Sequence, residues 1–129
     1  MRGLTWRTRL LVKVHALYAY RFYSATEWIR THYADEITLP DIAAKAGVSP
    51  EHLLRLFKKH EGPTPIQYVW KYRIDRAIEL LIHTGLNVTE VSERCGFKTT
   101  HHFARMIKQE TGRTASEIRR LSWAELTKT

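Results

Sequence analysis

Arg55 and Arg105 are each followed three residues on by a lysine, Lys58 and Lys108. A guanidinium presents a rigid pair of N–H donors that matches O6 and N7 of guanine, and an ammonium one helical turn away suits a phosphate. Cys95, His101 and His102 are the other side chains whose chemistry invites a site. Metal binding would need more, because the chain has one cysteine and no recognised ligand spacing. A catalytic thiol would need a paired base at a position that the repeat described below assigns to the core. No catalytic residue, metal site or cofactor is therefore expected, and the chain is not read as an enzyme.

Bulk properties favour a polyanionic partner. Lys and Arg total 21 against 13 Asp and Glu over 129 residues, a formal net charge of +8 with a pI near 9.9, which points to nucleic acid first and an anionic surface second. The single cysteine rules out an intrachain disulfide and suits a reducing compartment. No apolar run approaches the roughly 20 residues of a membrane span. Arg9 and Lys13 interrupt the apolar stretch near the start, and no small-residue cleavage site follows. A cytoplasmic, nucleoid-associated protein is expected.

Helices must position these side chains, since no alternating strand pattern persists and the expected fold class is all-α. Tyr20 to Tyr33 places Phe22, Trp28, Ile29 and Tyr33 at helical spacings. Thr38-Leu39-Pro40-Asp41 opens a short helix with a capping box. Ile42, Ala43 and Ala46 form its packing face, and Gly47 ends it where a left-handed residue is needed. Ser49-Pro50 starts the next helix with a hydroxyl cap and a first-turn proline. Leu53, Leu56 and Phe57 point inward along it to about His60. This is the helix-turn-helix pattern, a weak signal as a single copy.

The pattern recurs. Asn87-Val88-Thr89-Glu90 is a second capping box forty-nine residues after the first, and at that offset Val91 answers Ile42, Ser92 answers Ala43, Cys95 answers Ala46 and Gly96 answers Gly47. Past the glycine the offset becomes fifty: Phe103 answers Leu53, Ile107 answers Phe57, Lys108 answers Lys58, Gly112 answers Gly62 and Thr114 answers Thr64. One residue inserted in the second turn accounts for the change. Caps, turn glycine and core in register argue for two copies of one unit. Between them Pro65 to His83 reads as one long helix with apolar residues on more than one side, closed by Gly85. Ser116 to Leu121 reads as a short helix, and Ser122 to Glu125 as the start of a frayed tail. The expected organisation is an N-terminal helical extension over 1–21, a first helix-turn-helix subdomain over 22–64, a connecting helix over 65–84, a second subdomain over 85–121 and a tail over 122–129.

With Leu53 and Phe57 facing inward, Glu51, Leu54, Arg55 and Lys58 take the opposite face of their helix, with His52 and Lys59 at its flanks. Phe103 and Ile107 likewise turn Thr100, His101, Ala104, Arg105 and Lys108 outward. Ser49 and Thr99, at the helix starts, can add hydroxyl and backbone donors to phosphates. Such charges are often no more than a solvated surface. Two matching faces in a repeated unit on a basic chain favour DNA.

The sequence resembles the AraC/XylS regulators over roughly Ser24 to Arg120. The resemblance rests on Ile42-Ala43-x3-Gly47-Val48-Ser49, Leu53-x-Arg55-x-Phe57-Lys58-Lys59, Gly62-x-Thr64-Pro65-x2-Tyr68, Arg73-Ile74-x2-Ala77-x3-Leu81 and Gly96-Phe97-x5-Phe103-x3-Ile107-Lys108-x3-Gly112. The last run carries the family's signature spacing. Ala115 stands where proline is usual, Ile118 where tyrosine is usual, and Met106 where a smaller or polar residue is frequent. The resemblance implies two helix-turn-helix subdomains joined by a long central helix, with both reading heads on one face of the duplex about one helical turn apart. It also implies a regulator, more often an activator, whose partners are double-stranded DNA and RNA polymerase at promoters, with no membrane. On that resemblance the base-contacting positions are Glu51, Leu54 and Arg55 in the first unit and Thr100, His101 and Arg105 in the second. Phosphate contacts are expected from Ser49, His52, Lys58, Lys59, Thr99 and Lys108. Glu51 and Leu54 differ from the stand-alone members, so a different target is expected; glutamate could accept from cytosine N4 and leucine could pack on a thymine methyl.

Leu4, Leu10, Leu11, Val14, Leu17 and Tyr18 form an apolar stripe flanked by Arg7, Arg9, Lys13 and Arg21. The plain expectation is an extra helix packing back onto the first subdomain. A partner or dimer contact through residues 4–18 is the alternative, or a linker remaining from a longer ligand-sensing regulator. Against the DNA reading stands a helical protein-interaction module, which steep salt dependence of duplex binding would exclude.

Overall fold

The computed structural model describes residues 3, 5–60 and 62–127, and these form seven helices and no strand. They are α1 (Trp6–His32), α2 (Leu39–Ala46), α3 (Pro50–Lys59), α4 (Pro65–His83), α5 (Val88–Arg94), α6 (Thr100–Thr111) and α7 (Ala115–Thr127). The chain divides into two units, one of residues up to His32 with Ile37–Tyr68, the other of Tyr33–Glu36 with residues from Val69 onward. The division falls inside α4.

Local signals set the helix starts. Thr38 accepts the Asp41 amide on its hydroxyl (3.3 Å) while the Asp41 carboxylate accepts the Thr38 amide (3.0 Å), and Asn87 with Glu90 repeats the arrangement (2.8 and 3.3 Å). Those hydrogen bonds hold the Asp41 carboxyl below its ordinary range. Gly47 closes α2 at φ 71°, and Gly96 follows α5 at φ 88°. Both conformations cost a residue with a Cβ and cost glycine little.

In the first unit α1, α2 and α3 bury Ala25, Ile29, Ile42, Ala43, Ala46, Leu53, Leu56 and Phe57. Arg21 donates from Nη1 to the Ala46 carbonyl (2.9 Å), satisfying the last turn of α2. In the second unit Ile74, Ala77, Leu81, Val91, Cys95, Phe97, Phe103, Ile107 and Ala115 form the core. Arg73 is buried there beside the link between α1 and α2. Its Nε donates to the Tyr33 carbonyl (2.6 Å), its Nη2 to the Asp35 carbonyl (2.7 Å), and its guanidinium lies over the Trp70 ring.

Three expectations are corrected. The helix expected over Tyr20–Tyr33 and the N-terminal extension are one continuous helix, because no glycine or proline interrupts Trp6–His32 and Thr5 caps its start by accepting the Thr8 amide. That helix does not pack back along its whole length: Trp6, Leu10, Leu11, Val12 and Leu17 are more than half exposed. Leu4, the first residue of the apolar stripe, lies outside the described residues, as do Met1, Arg2, Lys128 and Thr129 of the two terminal segments. At the other end no fraying begins at Ser122. α7 runs to Thr127, because Arg119 donates to the Leu81 and Thr84 carbonyls (3.0 and 3.2 Å) and the Trp123 indole donates to the Ile82 carbonyl (3.4 Å). Ala115, where the resemblance leads one to expect proline, is the first residue of α7, the position at which a missing amide costs a helix nothing.

Candidate nucleic-acid interface

In α3 the side chains of Leu53, Leu56 and Phe57 are buried, and this fixes what is left for solvent. Glu51, Leu54, Arg55 and Lys58 share the open face, with Leu54 43% exposed. Leu54, between Glu51 and Arg55, is outside the buried core, and its exposed part is available to an apolar group such as a thymine methyl. His52 and Lys59 sit toward α1, where the His52 ring meets Tyr18 edge-on (5.8 Å) and Lys59 Nζ lies 4.2 Å from the centre of the Tyr18 ring. Pattern reading missed Tyr18 as the support for two expected phosphate contacts, since contact between residues so far apart in the chain leaves no periodic trace.

The second unit repeats the arrangement. Phe103 and Ile107 are buried, while Thr100, His101, Ala104, Arg105 and Lys108 are exposed on α6. His102 turns inward against Trp70 (4.7 Å) and Phe97 (5.8 Å), which separates its role from that of exposed His101. Each helix start is capped alike: Ser49 accepts the His52 amide and Thr99 the His102 amide, both at 3.1 Å. Each hydroxyl is occupied as an acceptor and keeps its own proton to donate outward. Pro50 removes one backbone donor at the start of α3, and Thr100 restores it in α6.

Cys95 is fully buried, and burial pushes its thiol up to about 11, so at neutral pH it is protonated and a poor nucleophile. Among the described residues no three His, Cys, Asp or Glu side chains gather into a possible metal site, and no helix is long and apolar enough to cross a membrane. Because Ala46 fills the matching position in the first unit, Cys95→Ala should leave duplex affinity unchanged and cost less than about 2 kcal/mol of stability. Fluorescence titration with duplex and urea unfolding check the two halves. Lost binding by a folded variant would return the thiol to the functional site.

Comparison with known proteins agrees with this geometry. A family model described as a helix-turn-helix domain matches residues 42–121. The HTH-type transcriptional regulator YdeC of Bacillus subtilis (strain 168) is 36% identical over 104 residues, covering 81% of this chain and 36% of YdeC. The HTH-type transcriptional activator RhaS of Enterobacter sp. (strain 638) is 35% identical over 92 residues, covering 71% of this chain and 33% of RhaS. The chain thus spans about a third of the length of these curated relatives. Among solved structures, a transcriptional regulator of Chromobacterium violaceum described as having an AraC-type DNA-binding domain superposes with a TM-score of 0.75 at 28% identity, over 79% of this chain and 91% of that one.

Proposed function

The chain belongs to the AraC/XylS-type helix-turn-helix family, and on that premise we propose that it is a transcription regulator that reads duplex DNA with α3 and α6. The observation that carries this reading is the pair of equivalent exposed faces, each centred on an arginine with a lysine one turn on, over a repeated buried core. In α3, Glu51, Leu54 and Arg55 meet base edges, while Ser49, His52, Lys58 and Lys59 meet phosphates. In α6, Thr100, His101 and Arg105 read bases, while Thr99 and Lys108 hold the backbone. Activation through RNA polymerase at promoters, in the cytoplasm at the nucleoid, belongs to the same proposal; relatives named as transcriptional activators support the activating sense.

Because the two faces differ chemically, one chain should read two unlike half-sites without the two-fold symmetry that paired identical heads impose. Selection of bound sequences from a random duplex pool tests this. An asymmetric, two-part motif is expected, bound with an affinity that falls steeply with salt. A palindrome bound by two copies would overturn the two-headed reading. Salt-independent binding, or no sequence preference, would overturn DNA reading altogether and favour a protein-interaction module.

A further inference from the structure

Within the first unit, α1 packs against α3 and the turn before it. Phe22 meets Phe57 (4.8 Å) and His60 (4.0 Å) near the end of α3. Tyr18 reaches His52, and Val14 and Leu17 line a groove of about 340 Å³ with Gly47, Val48 and His52 at the turn before α3. Followed backward, α1 is therefore beside the turn at the start of α3 by Val14. Trp6–Lys13 continue beyond, roughly 12 Å of helix at 1.5 Å per residue, and every one of these residues is exposed. The cations there are Arg7, Arg9 and Lys13, and the chain holds no acidic residue before Glu27.

A recognition helix points its N-terminal residues into the major groove. A basic segment that continues from beside that end is within reach of the sugar-phosphate wall of the groove. We propose that Trp6–Lys13 is a third DNA-contacting element, whose Arg7, Arg9 and Lys13 neutralise phosphates flanking the half-site read by α3 without reading bases. The inference rests on the α3 reading proposed above. Charge complementarity selects this occupant: the segment offers a polyanion three cations with no carboxylate nearby in the chain to pair them. The exposed sides of Leu10, Leu11 and Val12 offer a competing occupant, a second copy of the chain. Such a pairing would bring the cations of two acid-free segments together.

The test compares the full chain with its Arg7→Gln/Arg9→Gln/Lys13→Gln variant on the selected duplex and on an unrelated duplex of equal length. Fluorescence anisotropy is followed between about 50 and 200 mM salt. The variant should bind both duplexes more weakly and by the same factor. The affinity lost across that salt range should shrink by about 3.5-fold for each phosphate contact removed. Trimming the flanks to the selected motif should weaken the wild type and leave the variant unmoved. Equal salt slopes, or a variant as sensitive to trimming as the wild type, overturns the inference while selective wild-type binding keeps the α3 reading. A dimer in sedimentation that Leu10→Gln/Leu11→Gln abolishes, with salt slopes unchanged, overturns it in favour of self-pairing. A wild type without sequence preference overturns the α3 reading first.

Discussion

Arg55→Ala and Arg105→Ala should each weaken binding to the selected duplex by about 1–3 kcal/mol, roughly 5- to 150-fold, and relax selection at one base step. The magnitude comes from loss of a bidentate donor pair, which no neighbouring side chain can replace in the same plane. Both arginines are exposed, so the folded chain loses almost nothing, and thermal unfolding should be unchanged. Because they lie on different helices in different units, the double variant should show nearly additive losses. Anisotropy on selected and random duplexes decides each case separately. An equal loss on both duplexes would make that arginine a phosphate contact and move base reading to its neighbours.

The largest loss of stability is expected at Gly96. A Cβ built there would lie 2.9 Å from the Tyr33 carbonyl oxygen and 3.1 Å from Ala34 Cα, both backbone atoms, at φ +88°. The left-handed conformation costs a residue with a Cβ about 1–2 kcal/mol, and displacing packed backbone adds about 1–3 kcal/mol. Gly96→Ala should therefore remove about 2–5 kcal/mol, a large share of the 5–15 kcal/mol typical of a folded domain. Gly112→Ala is the control. It has φ +75° with open space around it, so it carries the conformational cost alone. Urea unfolding of the two variants measures the difference, and equal losses would mean that the close approach to Tyr33 has no energetic weight.

Much of this was legible in the residues themselves. The caps at Thr38, Ser49 and Asn87, the bounds of α4 and the buried and open sides of α3 and α6 follow from local hydrogen bonding and helical periodicity, both written within a few residues. What escaped is non-local. Arg73 matched a family spacing, yet its bonds to Tyr33 and Asp35 join residues some forty positions apart. The full length of α7 is non-local too, because Trp123 finds its acceptor at Ile82. The continuity of α1 is hidden because its apolar residues outrun the core they would cover, and periodicity alone cannot report where a core ends. Which base each exposed side chain meets is a property of the complex, so no pattern within the chain encodes it.

The placement of Tyr33–Glu36 has a consequence for the order in which the chain acquires its structure. These four residues leave the ribosome ahead of α2 and α3, yet they group with residues from Val69 onward, and their carbonyl partners are the side chain of Arg73. The three helices of the first unit carry their own caps, which favours each helix forming early as it emerges. The segment between α1 and α2 receives these hydrogen bonds from a residue that follows the whole of the first unit in the chain. Its backbone is secured only when the middle of α4 has been translated.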